Sequence, residues 1–169
     1  MRVLELHPWR VSYREAVGIQ NSLRERLRLE PLARPLRLVA GADVAYPRLS
    51  RRTYAAVVVL ALPSLDVVEV TEAACRARFP YIPGLLTFRE VPPLLKAFAR
   101  LRSEPDALLF DGQGLAHPRR FGLGCHAGLL LGTPSAPEHP QVLPPAAHGR
   151  LMRPGHRARR QAWALIRGL

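Results

Sequence analysis

Two short apolar runs, each ending close to an acid, constrain this chain more than any other feature. The first is Leu38-Val39-Ala40-Gly41-Ala42-Asp43-Val44-Ala45-Tyr46 and the second is Ala107-Leu108-Leu109-Phe110-Asp111-Gly112. Runs of this length bounded by turn residues read as buried strands. A carboxylate does not end such a strand for stability, because desolvating it unpaired is costly and two of them side by side repel. Brought together in one sheet, Asp43 and Asp111 would make a site for a hard cation. Taken singly, each Asp is equally a residue that starts a turn.

At 169 residues, 48% of them hydrophobic, the chain can bury one substantial core, and a single α/β domain is expected. The longest apolar run, residues 55–62, is too short to span a bilayer, and the first residues lack the apolar stretch of a signal peptide. A soluble, cytoplasmic, membrane-free protein is the expectation, and a monomer. Cys75 and Cys125 have no metal-ligand spacing, and that compartment argues against a disulfide. The net charge of +12 and pI near 11.3 favour a polyanionic partner, nucleic acid first. Lys96 is the only lysine, so the charge is nearly all arginine. Arginine suits bidentate phosphate binding, although an Ala-, Leu- and Pro-rich composition biases a chain towards it as well.

Ser12-Tyr13-Arg14-Glu15 has capping-box form, and Ala16, Ile19, Leu23 and Leu27 follow at helical spacing before Pro31. Three strands are expected next, at 38–45, 54–62 and 66–77, joined by tight turns at 47–50 and 63–64 into an antiparallel meander. Residues 57–60 are apolar throughout, so the middle strand should be covered on both faces. Pro80-Tyr81-Ile82-Pro83-Gly84 fixes a rigid loop. A helix then opens near Glu90, with Pro92 and Pro93 in its first turn, and runs to Arg102. A fourth strand covers 107–111 and a further helix 121–131. After Thr133 no strand is expected: residues 134–145 read as an irregular linker and 158–169 as a short basic helix. The division is thus a domain at 1–135 and a Pro- and Arg-rich tail at 136–169.

Three acids stand out, and oxygen-only ligands suit magnesium or manganese. Glu90 is the third, although an acid in a first helical turn also stabilises the helix dipole. In Gly112-Gln113-Gly114-Leu115-Ala116-His117-Pro118-Arg119-Arg120 the glycines would admit a nucleotide close to the backbone. His117 and the two arginines would contact phosphate or act on the leaving group, or else form a plain strand-to-helix turn with solvated arginines. His126 sits in an apolar helical context and reads as a packed histidine. Tyr81 is an aromatic preset on a stiff loop, able to wedge into a base stack or to pack on its own sheet; residue type alone favours packing.

Taken in order, these pieces resemble the endonuclease V family of deoxyinosine-directed repair nucleases. The resemblance rests on residues 39–44, on Phe79-Pro80-Tyr81-Ile82-Pro83-Gly84-Leu85-Leu86-Thr87-Phe88-Arg89-Glu90, on residues 109–122 and on His126-Ala127-Gly128-Leu129-Leu130, with residues 16–23 agreeing as well. It covers roughly residues 10–135. It implies an α/β, ribonuclease H-like mixed central sheet flanked by helices. Asp43 and Asp111 would hold a Mg²⁺ or Mn²⁺ ion, and Glu90 would be the third catalytic acid. Tyr81 would act as the wedge, and a flipped base would enter a pocket near Gly84, Leu86, Gly112, Gly122 and Leu123, with His117 close to the scissile region. The implied reaction is hydrolysis of the second phosphodiester on the 3′ side of deoxyinosine in DNA, with inosine in RNA as a further partner.

The chain departs from the family after Ser135. The family continues with an apolar strand of the form Ile-Gly-x-Ala-Lys, whereas this chain has Ala136-Pro137-Glu138-His139-Pro140 and no lysine past Lys96. The resemblance therefore implies a sheet lacking the family's last strands, from loss of an internal piece or a shifted frame. The edge beside the strand of Asp111 would then expose unpaired backbone groups or be covered by the Pro-rich tail, and the domain would be weakened. A catalytically impaired inosine- or nucleic-acid-binding protein is the alternative function.

Overall fold

A computed structural model describes residues 1–32, 35–46 and 52–137. The expected turn at 47–50, the linker beyond 137 and the helix at 158–169 lie outside the described residues.

Helix α1 (Tyr13–Arg24) starts at the capping box: Ser12 Oγ accepts from the Glu15 amide at 3.4 Å, and Glu15 Oε2 accepts from the Ser12 amide at 2.7 Å. Ala16, Gln20 and Leu23 form its buried stripe. The expected apolar face ran on to Leu27, but the helix stops at Arg24. Bonds from Arg26 N–H to Leu23 O and from Leu27 N–H to Arg24 O tighten its exit into an i→i+3 turn.

Five strands, β1 (Leu38–Ala45), β2 (Arg52–Ala61), β3 (Val67–Arg76), β4 (Ala107–Phe110) and β5 (Ser135–Pro137), form one sheet in the order β3-β2-β1-β4-β5. β1, β2 and β3 pair antiparallel as the short connections imply, while β4 runs parallel to β1 and to β5, so the sheet is mixed. The middle strand is covered on both faces, as its composition predicts. Val57 and Val59 join the main core with Phe98, Phe110 and Leu130, whereas Val58 and Leu60 pack with Val39 and Ala107 on the other side. Helices α2 (Thr87–Phe98) and α3 (Leu123–Leu131) supply that main core.

Helix α2 begins three residues before Glu90 and ends at Phe98, short of Arg102. Pro92 and Pro93 therefore lie in its second turn, not its first. The cause is upstream: Phe88 N–H bonds to Leu85 O, and the Arg89 and Glu90 amides bond to Leu86 O, so the chain is already wound when it reaches Glu90. Phe88 fixes that first turn by packing with Ala16, Phe79 and Leu85. The prolines lack the amides that would bond to the Phe88 and Arg89 carbonyls.

The second difference is β5. Where no strand was expected, Ser135, Ala136 and Pro137 pair parallel with Leu108, Leu109 and Phe110, and the Leu108 amide also bonds to Pro134 O at 2.9 Å. The edge of β4 is thus covered. Three residues are too few for a period-2 signal, and prolines read as breakers although an edge strand tolerates them. The strand docks tightly on α3: Ser135 Oγ donates to Gly124 O at 2.8 Å, and a Cβ added at Gly128 would stand 2.1 Å from that oxygen.

Along α3 runs the N-terminal segment, with Leu4 N–H bonded to Leu130 O at 2.7 Å and the Met1 ammonium to Leu101 O at 3.1 Å. It brings His7 Nε2 to 2.6 Å from His126 Nε2, among the rings of Trp9 and Phe88. His126 is fully buried, as expected of a packed histidine. Burial, with the His7 charge adding to it, pushes its pKa down to about 3.

Two glycines give opposite expectations. Gly128→Ala overpacks the α3–β5 contact and lowers stability by about 1–3 kcal/mol. Gly18→Ala, in the exposed middle of α1 with nothing within 4 Å of the new Cβ, raises it by about 0.5–1 kcal/mol. Urea unfolding followed by circular dichroism measures both, and matching midpoints for the two variants would contradict this packing.

Candidate active site

Asp43 lies within β1 opposite Ala56 of β2, one residue past the pair that Ala42 makes with Phe110 of β4. Asp111 follows β4 directly. The two acids therefore stand at the same level, Asp43 inside β1 and Asp111 just past the neighbouring parallel strand β4, where strands are about 4.8 Å apart. Each is half-buried, and Asp43 Oδ1 accepts from the Val44 amide at 2.7 Å. Glu90, in the first turn of α2, faces the pair.

Burial raises the pKa of Glu90, and the charges of Asp43 and Asp111 raise it further, against a hydrogen bond from Tyr46 and the Arg89 charge. The Tyr46 hydroxyl donates to Glu90 Oε1. Its own pKa is raised by burial and by Glu90, so the phenol stays a donor. Arg89 stands over the Tyr46 ring, 5.2 Å from its centroid, and donates to Phe79 O at 2.9 Å.

Among the described residues no group of three or more His, Cys, Asp or Glu side chains gathers at metal-ligand spacing. The donor set to consider is then the Asp pair, with Glu90 engaged by Tyr46. Two oxygen donors on adjacent strands fit a hard dication of the magnesium kind, which takes one or two carboxylates and completes its shell with water and substrate oxygens.

The loop at 80–84 is anchored at both sides by buried Phe79 and Leu85, which leaves Tyr81 67% exposed. Tyr81 does not pack on its sheet, contrary to the expectation from residue type. Gly84 closes the loop at φ +78°, a left-handed conformation that favours glycine. Its carbonyl accepts from Gln20 Nε2 at 3.2 Å, His117 Nε2 at 3.0 Å and Arg119 Nη2 at 2.5 Å.

His117 is buried, and its Nδ1 accepts from the Arg119 amide at 3.1 Å. That bond needs a bare Nδ1, so the proton sits on Nε2 and points to the Gly84 carbonyl. Burial lowers its pKa, the Gly84 bond opposes this, and the Arg119 charge adds to the lowering. Both ring nitrogens are thus engaged within the protein. Arg119 likewise is neither solvated nor presented to phosphate through these atoms, since Nε donates to Gln20 Oε1 at 2.7 Å and Nη2 to Gly84.

The remaining pocket candidates are brought together only in part. A Cβ on Gly112 would meet Leu123 Cβ at 3.4 Å, and one on Gly122 would strike Gln113 O at 2.1 Å, so the loop after β4 lies directly on the start of α3. Leu123 is buried in the main core, and Leu86 is half-buried where α2 begins. Sequence reasoning assigns no role to Tyr46 or Gln20. For Gln20 a signal exists: an amide four residues from Ala16 and three before Leu23 lies on the buried stripe of α1, where a polar group must find partners. For Tyr46 none does, because its partner is 44 residues away.

The raised pKa of Glu90 has a consequence for stability. The folded state holds that proton more tightly than the unfolded chain, so its contribution is full below the ordinary carboxylate range and is lost as pH rises through the raised value. Glu90→Gln, which keeps an oxygen for Tyr46, should melt higher than the parent at neutral pH in a chelator. The gain should shrink towards about pH 4, as read by scanning calorimetry. A lower melting temperature at neutral pH would contradict it.

Comparison with known proteins agrees with this architecture. Residues 21–136 match the profile of the Endonuclease V family. Endonuclease V of Nostoc sp. is 43% identical over 136 residues, covering 80% of this chain and 62% of that protein. The crystal structure of Endonuclease V from Streptomyces avermitilis superposes with a TM-score of 0.73 at 41% identity, over 81% of this chain and 61% of that one. Endonuclease V of Ciona intestinalis, solved with a 24mer DNA containing an inosine, superposes at 0.69 with 27% identity, over 73% of this chain and 56% of that one. The chain thus spans about three fifths of the length of the relatives it matches. The mixed sheet with its flanking helices is the ribonuclease H-like fold of these structures, and the chain belongs to the endonuclease V family.

Proposed function

We propose that this protein is a divalent-metal-dependent endonuclease that recognises deoxyinosine in DNA and cleaves the second phosphodiester on its 3′ side. The observation that carries the reading is that β1 and β4 bring Asp43 and Asp111 to the same level on neighbouring strands, with Glu90 in the first turn of α2. Carboxylates held together against their own repulsion are what a cation site requires. The inosine-containing DNA bound by the Ciona relative supports the substrate.

In this reading Asp43 and Asp111 hold Mg²⁺ or Mn²⁺. A bound ion of this kind polarises a phosphoryl oxygen and lowers the pKa of a water. Glu90, with its carboxylate oriented by Tyr46, holds the proton removed from the attacking water. Tyr81, exposed on an anchored loop, fills the stack vacated by the extruded nucleotide. Gly84, Leu86 and Gly112 would line the approach of the base, with Gly122 and Leu123 buried at the start of α3. His117 contributes by fixing the Gly84 carbonyl.

A second reading, binding without cleavage, is favoured by one feature: directly after Ser135, where the resemblance places a strand carrying a lysine, this chain reads Ala136-Pro137-Glu138-His139-Pro140, with no ammonium there to neutralise phosphate. The assay is nicking of an inosine-containing duplex with magnesium or manganese, beside inosine-free DNA and inosine-containing RNA. The parent should nick the inosine strand, and Asp43→Ala and Asp111→Ala should each lose about two orders of magnitude or more. Tyr81→Ala should keep nicking but lose preference for the lesion. Salt-dependent binding of inosine DNA with no metal-stimulated nicking would establish the second reading instead.

A further inference from the structure

Gln20 is fully buried on α1, yet it reaches out of that helix to both loops of the candidate site. Its Nε2 donates to Gly84 O and to Phe121 O, each at 3.2 Å, and its Oε1 accepts from Arg119 Nε at 2.7 Å. The amide orientation follows from chemistry, since two carbonyls demand the NH₂ end and a guanidinium demands the oxygen. Arg119 and His117 then close on the same Gly84 carbonyl from the loop after β4. A buried amide with three partners, one in the Tyr81 loop and two in the loop after β4, acts as a spacer between those loops.

We propose that Gln20 is a positioning residue that sets the distance between the Tyr81 loop and the loop after β4, and through it the preference for an extruded base. The selectivity part rests on the endonuclease reading above; the clamp itself does not. Two further observations support the clamp. Gly84 adopts φ +78°, and a Cβ there would stand 2.8 Å from Arg119 Nη2, so the loop end is held where no side chain fits. Phe79 and Leu85 pin the two ends of the loop by packing, and the polar contacts fix the orientation of the Gly84 carbonyl between them. An apolar residue at position 20 would leave the Phe121 carbonyl and the Arg119 Nε–H without their partner, and the spacing would relax.

The test uses Gln20→Leu, which keeps the bulk and removes every polar contact, and Arg119→Lys, which keeps the charge but not the fork. Hydrogen–deuterium exchange on the protein without nucleic acid should show faster exchange across residues 79–86 in both variants and unchanged exchange in β1 and β4. On an inosine duplex, KM should rise by about tenfold or more with a smaller change in kcat, and the ratio of inosine to inosine-free nicking should fall. Exchange across 79–86 that matches the parent in Arg119→Lys and in any folded Gln20→Leu overturns the clamp. Faster exchange with an unchanged selectivity ratio overturns its role in recognition. A parent that does not nick inosine DNA refutes the endonuclease reading, and the exchange result alone then decides the clamp.

Discussion

The parallel pairing of β1 with β4 is the contact on which the candidate site depends. It sets Ala42 opposite Phe110, so the next residue on each strand is an aspartate, and two like charges are held next to each other by backbone hydrogen bonds and a shared core. Glu90 joins them because Phe88 seats the first turn of α2 among Ala16, Phe79 and Leu85. Burial raises the pKa of Glu90 first, and the two aspartate charges add to it. A cation held between the two aspartates would offset that repulsion.

Around this centre the fold divides its work. The hydrophobic core, built mainly by β1, β2, β4, α2 and α3, fixes where the acids lie. Polar contacts fix the two loops that flank them, with Gln20, His117 and Arg119 meeting at the Gly84 carbonyl. Leu85, the residue after Gly84, is held by packing, and the polar contacts fix the Gly84 carbonyl itself, since that residue has no side chain to bury. β5 completes the edge of β4 with three residues and lets Gly128 approach Ser135 closely.

Much of this was legible in the residues. The capping box at Ser12, the apolar run at 57–60 and the two apolar strands, one holding Asp43 and one preceding Asp111, each carry a local signal strong enough to survive tertiary context. Misreadings arose where the deciding partner was distant. Pro92 and Pro93 look like a helix start until Phe88 is seen to anchor an earlier turn. Ser135 to Pro137 carries no periodicity and becomes a strand only because β4 offers an edge. Tyr46 carries no signal in sequence and Arg119 reads as a phosphate contact or a solvated turn residue, and only the fold brings them to Glu90 and Gly84.

Cation binding at Asp43 and Asp111 tests the account most directly, independently of any nucleic acid. Calorimetric titration of Mn²⁺ into the chelator-treated protein should give a site that is lost in both Asp43→Ala and Asp111→Ala. The parent alone should then gain melting temperature with added Mn²⁺, as ligand linkage requires. Undiminished binding in either variant, or none in the parent, would contradict the central claim.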